Sequence, residues 1–220
     1  MKWFQVKDAN LEEVKKQSKW TNLPSDDILK KIVKALGENG IDAQVVKTPE
    51  EAKKKVLELI PHGAEVMTMT SQTLEAIGIL SQINESGDYD AVRPKLMAMD
   101  RVTQGGQMQK LGSAPDWSVG SVHAVTEDGR VVVASNTGSQ LPGYVYGSGH
   151  VIWVVGAQKI VKNLDEALAR INDYVLPLEA ERANKAYGAP GSYASKMLIL
   201  NQEITPDRIK IIFVKEKLGF

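Results

Sequence analysis

The chain contains no cysteine. Disulfides, a thiolate nucleophile and thiolate ligation of zinc or of an iron–sulfur cluster are therefore excluded for this chain. Neither sign of charge is in surplus: 27 basic residues face 27 acidic ones, so there is no net basicity of the kind a nucleic-acid binder carries. No apolar run approaches the roughly 20 residues of a membrane-spanning helix. The opening MKWFQVKDANLEEVKKQ becomes charged too soon for a signal peptide. These absences predict a cytoplasmic protein with no nucleic-acid and no membrane partner. Named catalytic fingerprints are missing as well: there is no GxGxxG, no GxxxxGKS or GxxxxGKT phosphate loop and no GxSxG elbow. Ser192 and Lys196 are one residue too far apart for the SxxK of serine acyl enzymes. His62, His123 and His150 lie far apart and form no HExxH or comparable spacing, so no metal site is expected.

What is present is ordinary globular material: 220 residues, 43% hydrophobic and 25% charged. The first third reads as helical. A weakly amphipathic helix is expected over Asp8–Lys19. Ser25 caps the next, with Asp26 and Asp27 opposing its dipole and Ile28, Leu29, Ile32, Val33 and Leu36 at helical spacing up to Gly37 or Gly40. Ile41–Val46 alternates as a short strand. Thr48-Pro49-Glu50-Glu51 starts a helix that runs to about Ile60. Residues 1–62 are thus expected as a helical segment packed on an α/β domain of residues 63–220, the two forming one compact unit.

Within residues 63–220 the pattern alternates. Gly63–Met69 reads as a buried strand, followed by a helix capped by Thr70 or Ser71 and carrying Leu74, Ile77 and Leu80. Tyr89–Met99 is ambiguous because Pro94 opposes a central strand, and Gly105–Lys110 and Gly112–Pro115 read as loop. Trp117–Thr126 and Arg130–Ser135 flank Glu127-Asp128-Gly129 and read as an antiparallel hairpin. Val151–Gly156 is wholly apolar, as in a strand covered on both faces. A helix is expected from Asn163, a second over Leu178–Tyr187 after Pro177, and final strands over Met197–Leu200 and Ile209–Val214. The class is therefore α/β, with a mixed, mostly parallel sheet and helices on both faces. Ligands of such sheets bind beyond the carboxyl ends of the strands, which directs attention to the segments after Met69, Ser135 and Gly156.

Ser135–Gly149 joins two strand candidates and combines four glycines with Ser, Thr, Asn and Gln. Glycine lets backbone N–H groups approach a ligand, and hydroxyls and amides orient it. Asn136, Gly138, Ser139, Gln140, Gly147, Ser148 and Gly149 are the ligand-binding candidates of this stretch, although a long connector has the same composition. Thr70, Ser71 and Gln72 lie at a strand-to-helix junction, where free N–H groups suit an anion and simple capping is the alternative. Lys159, after the apolar strand, could meet a carboxylate or phosphate, or sit in solvent. The acid–base candidates are His150, which closes the Gly-rich stretch, and Glu127, although a hairpin turn accounts for Asp128-Gly129. Gln104-Gly105-Gly106-Gln107 reads as a turn, with a flexible lid the alternative, and Trp3, Trp20, Trp117 and Trp153 as packing residues.

ASNTGSQLPG, GHVIWVVGAQKIV, DEALARI, LPLEAER and the closing KIIFVKEKLGF, with the upstream TLEAIGI, resemble the LUD-domain family, that of lactate utilisation protein C. The resemblance covers about residues 63–220 and is strongest over Val119–Ile171. It implies the fold of the ribose-5-phosphate isomerase, CoA-transferase and 5-formyltetrahydrofolate cyclo-ligase superfamily, and a role beside iron–sulfur oxidoreductase subunits in oxidising L-lactate to pyruvate. Lacking cysteine, this chain holds no thiolate-bound cluster, so redox work would fall to a partner. The leading expectation is an accessory subunit of lactate or organic-acid utilisation that binds a small anion. An enzyme of the cyclo-ligase, isomerase or CoA-transferase type, acting on a phosphorylated, nucleotide or CoA substrate, is the alternative. A structural interaction module is the third reading, and self-association is open.

Overall fold

The run Val151–Gly156 is apolar at every position because alternate side chains feed two different cores. In the computed structural model, which describes residues 11–16, 18–188 and 191–220, the amino-terminal part holds α1 (Leu11–Lys15), α2 (Asp26–Glu38), β1 (Asp42–Val46), α3 (Pro49–Leu59), β2 (Glu65–Thr68), α4 (Gln72–Ala76), α5 (Leu80–Asn84), β3 (Asp90–Ala91), α6 (Val92–Ala98) and α7 (Gly105–Ser113). The remainder holds β4 (Trp117–Gly120), β5 (Ala124–Thr126), β6 (Val131–Ser135), β7 (His150–Gly156), β8 (Ile160–Val161), α8 (Leu164–Arg170), α9 (Leu176–Tyr187), β9 (Lys196–Leu200) and β10 (Ile209–Val214). Residues 8–10 of the first expected helix, and Trp3, lie outside the described residues.

Six strands form a parallel sheet in the order β1-β10-β7-β4-β2-β3, and four form a second sheet in the order β8-β5-β6-β9. Val151, Trp153 and Val155 of β7, with Ile209, Ile211 and Phe213 of β10, face Ile32 and Leu36 of α2 and Val125, Val131 and Val133 of the second sheet. Ile152, Val154, Ile212 and Val214 face the other way, onto Ala52 and Val56 of α3, Leu74 of α4 and Ile83 of α5. The far face of the second sheet (Ala124, Val132, Ala134) packs on Ala167, Ile171, Tyr174 and Val175. This period-two sorting into opposite cores is what a doubly covered strand requires. Among the described residues, no helix is long and apolar enough to cross a membrane.

The class is mixed α/β as expected, but the strands are divided between two sheets: the six-stranded one is wholly parallel, and the four-stranded one is mixed, with β5 parallel to β8 and antiparallel to β6. The expected single strand Trp117–Thr126 is two. Its first part, β4, lies between β2 and β7, and its second, β5, pairs antiparallel with β6. The break comes at Gly120, where any Cβ would collide with the Tyr144 hydroxyl, and residues 121–123 carry the chain from one layer to the next.

Other expectations are corrected by local chemistry. The helix after Ser71 is split into α4 and α5, because Gly78 takes a left-handed backbone at φ 63°. Val92–Ala98 is helical because Pro94 falls in the first turn, where its missing N–H is harmless. Gly105–Ser113 is a helix rather than a loop. It is prefaced by Asp100, whose Oδ1 accepts from the backbone N–H groups of Val102 (2.9 Å) and Thr103 (2.8 Å). From Leu164 to Tyr187 the chain stays helical through a π-helical turn at Ile171–Val175. Pro177 therefore sits at the start of α9 and does not separate two helices. The caps of Ser25, Thr48 and Asn163 form as their sequences dictate.

Candidate functional site

Three neighbouring parallel strands, β2, β4 and β7, end on the same side of the sheet. The segments that come after them carry Thr70–Thr73, Ser121–His123 and Lys159. Opposite stand Ser135–Gln140 after β6, the first turns of α9 and Gly191–Tyr193 before β9. Together they line a cleft of about 470 Å³, within the size range of small-molecule sites. It opens where the rule for parallel sheets places a ligand, beyond the strands' carboxyl ends.

Lys159 lies in this cleft and is only 3% exposed. The short 3-10 turn Ala157–Lys159 after β7 turns it inward. Its Nζ donates to Thr73 Oγ1 (2.9 Å), Ser121 Oγ (3.1 Å) and the Val122 carbonyl (3.2 Å). All three partners are uncharged. Burial, and then the nearby Arg170, hold the amine well below the ordinary lysine range. Thr73 Oγ1 in turn donates to the Leu218 carbonyl (3.2 Å), tying this network to the segment after β10.

His123 is half-buried in the cleft wall. Its Nδ1 accepts the backbone N–H of Ala134 (3.1 Å). A backbone amide can only donate, so the ring's proton resides on Nε2. Burial first, and then Lys159 and Arg170, push its pKa down to about 3, which keeps the imidazole neutral. Behind it Arg170 is fully buried. Nη1 donates to the His123 carbonyl (2.8 Å), and the guanidinium lies 5.3 Å from the Tyr174 ring centre. Nε and Nη2 have no partner among the described residues. Burial lowers Arg170 to about 10, an effect that Tyr174 opposes. The zone thus gathers three nitrogen bases. The one acidic side chain among the described residues lining the cleft is Glu179, and Arg182 grips both of its oxygens (2.7 and 2.6 Å).

Of the residues singled out from sequence, Thr70, Ser71, Gln72, Asn136, Ser139, Gln140 and Lys159 line this one cleft. Thr70 is oriented by Arg93, which donates to its hydroxyl (3.0 Å) and to the Thr68 carbonyl (2.7 Å). Ser71 caps α4 by accepting from Leu74 N–H (3.3 Å). With only five residues, α4 carries too little dipole to serve as the anion site pictured at a helix start. Lys159 is buried and not solvated.

The other singled-out residues lie elsewhere. Gly138 rests against the Lys196 side chain. Gly147, Ser148 and Gly149 lie at the opposite, amino end of β7, where the Ser148 hydroxyl bonds Ser118 (2.7 Å) inside the core. His150 is exposed and stacks on Trp117 with ring centres 4.1 Å apart. Glu127 pairs with Lys31 (2.7 Å) beside the hairpin turn.

Sequence reasoning missed Thr73, Ser121, Arg101 and the placement of His123. Ser121 and His123 were hidden by reading Trp117–Thr126 as unbroken; the Gly120-Ser121 pair was the one signal of a break.

The profile of the LUD domain matches residues 29–214. The crystal structure of a DUF162 family protein from Deinococcus radiodurans superposes with a TM-score of 0.54 at 13% identity, covering 88% of this chain and 99% of that one. At that identity the likeness speaks for the fold. Comparison with curated proteins gives no match.

Proposed function

We propose, on the premise that the chain belongs to the LUD-domain family, that its cleft binds the carboxylate of lactate or a related small organic acid. The observation that carries this reading is Lys159: a buried amine in a small-molecule-sized cleft, bonded among the described residues only to uncharged oxygens. An amine held in this way gains most from an incoming negative charge, because the low-dielectric surroundings that disfavour its cation strengthen the pairing. Asn136, Ser139 and Gln140 supply amide and hydroxyl groups on the facing wall, and Arg101 adds a cation at the rim.

The chain acts as a binding subunit in organic-acid utilisation. Any electrons removed from the acid pass to an iron–sulfur partner, since a chain without cysteine holds no thiolate-bound cluster. Calorimetric titration with L-lactate, pyruvate, inorganic phosphate, CoA, a nucleotide and a sugar phosphate tests the reading. One saturable site for the carboxylates is expected. No binding of any of these would discard it. Binding of CoA, the nucleotide or the sugar phosphate alone would replace it with the transferase, cyclo-ligase or isomerase alternative.

A further inference from the structure

We propose that Lys159 forms an imine with ligands that carry a ketone or aldehyde beside their carboxylate, the 2-oxo acids above all. The inference deepens the anion-binding reading and rests on it. An imine-forming lysine has three requirements. Its amine must sit where a small carbonyl compound can reach it, and Lys159 lines a cleft of small-molecule size. The amine must escape pairing with a carboxylate, and its partners are two hydroxyls and one carbonyl. Groups able to move protons must touch the nitrogen, and Thr73 Oγ1 and Ser121 Oγ lie 2.9 and 3.1 Å from it and 3.3 Å from each other. Burial disfavours the ammonium form; in the neutral amine two of the three contacts remain N–H donations and the third reverses, a hydroxyl donating to the nitrogen lone pair until the carbonyl compound takes its place.

The step balances without any redox partner. The Nζ lone pair attacks the carbonyl carbon, and the carbon–oxygen π pair moves to oxygen. That oxygen takes a proton relayed from nitrogen through the Thr73 or Ser121 hydroxyl, giving a carbinolamine. The new hydroxyl leaves as water with a second proton from the same network, the nitrogen pair closes the C=N bond, and the proton left on nitrogen returns to that network. Amine plus carbonyl gives imine plus water. If the imine is protonated, the iminium is a cation whose counter-ion is the ligand's own carboxylate, since Lys159 meets no acidic partner among the described residues.

The test incubates the full chain with pyruvate and cyanoborohydride and maps the product by peptide mass spectrometry. The expected product adds one pyruvate less one oxygen atom at Lys159. It should form at least about tenfold faster there than at the exposed lysines, because an ordinary lysine is almost wholly protonated near neutral pH. Lys159→Met and Lys159→Arg, checked for folding by thermal melting, should lose it. Calorimetry without reductant runs in parallel, with lactate as the ligand that has no carbonyl. Binding of lactate and pyruvate without the adduct, or an adduct spread evenly over surface lysines, overturns the imine and leaves the anion reading standing. Failure of both ligands to bind, with no adduct, overturns both.

Discussion

Two buried basic side chains at opposite ends of the parallel sheet are treated in opposite ways. Arg208, just before β10, has every arm committed. It binds the buried Glu203 carboxylate (2.6 Å), and the carbonyls of Ser148 (2.9 Å), Gly143 (3.1 Å) and Tyr144 (2.9 Å). It staples the second half of the Ser135–Gly149 stretch to the core. Among the described residues Lys159, past the far end of β7 and as deeply buried, meets no carboxylate, and neighbouring Arg170 leaves two nitrogens unsatisfied. A fold that completes one buried ion pair and leaves another open separates a structural end of the sheet from a receptive one.

The largest expected effect is at the closed end. Arg208→Met strands Glu203 without a cation and should cost about 3–5 kcal/mol of stability in urea unfolding, with lactate affinity of the folded protein unchanged. Comparable loss of affinity would merge the two ends and break the comparison. At the open end, Lys159→Met should leave the unfolding midpoint unchanged or raised. It should weaken lactate binding roughly tenfold to a hundredfold, the worth of a charge-assisted hydrogen bond.

The third prediction concerns acid. His123 titrates near 3 in the folded chain instead of at its ordinary 6.5. Between those values the unfolded chain binds the extra proton, so stability falls as pH falls through that window, by at most about 1.4 kcal/mol per pH unit. His123→Asn keeps an acceptor for Ala134 N–H and removes the titration. Its stability in denaturant series between pH 7 and pH 4 should be flatter than that of the natural chain; an equal slope would assign the acid sensitivity to other groups. The smallest effects divide the Gly-rich stretch itself. Asn136→Ala should weaken lactate binding about fivefold with little change in stability, whereas Ser148→Ala should lower stability by about 1 kcal/mol and leave binding alone.

That division explains how far the site was legible. Composition marked Ser135–Gly149 as one Gly- and Ser-rich unit, and its first part does line the cleft. The part around Ser148 has the same residue types for a different reason, the close packing of Ser148 on Ser118 and of backbone carbonyls on Arg208. Nothing local in the sequence distinguishes a hydroxyl that faces a ligand from one that faces another hydroxyl, because the partner lies 30 residues away. The strand after Gly149 was readable because burial on both faces leaves an unmistakable apolar run. The switch of sheets at Ser121 was not, since Trp117–Thr126 remains strand-like on both sides of it. The helix at Gly105 was hidden by two glycines, which disfavour a helix locally and are overruled here by the Asp100 turn before them.

The central claim is that Lys159 takes its missing counter-charge from the ligand. Carbon-13 labelling of lysine Cε, with the Lys159 resonance assigned by its loss in Lys159→Met, measures this directly as pH is varied with and without L-lactate. One lysine is expected to titrate well below all the others, and its titration should move upward when lactate is added. A Lys159 resonance that titrates with the surface lysines, or that lactate leaves unmoved, would contradict the claim.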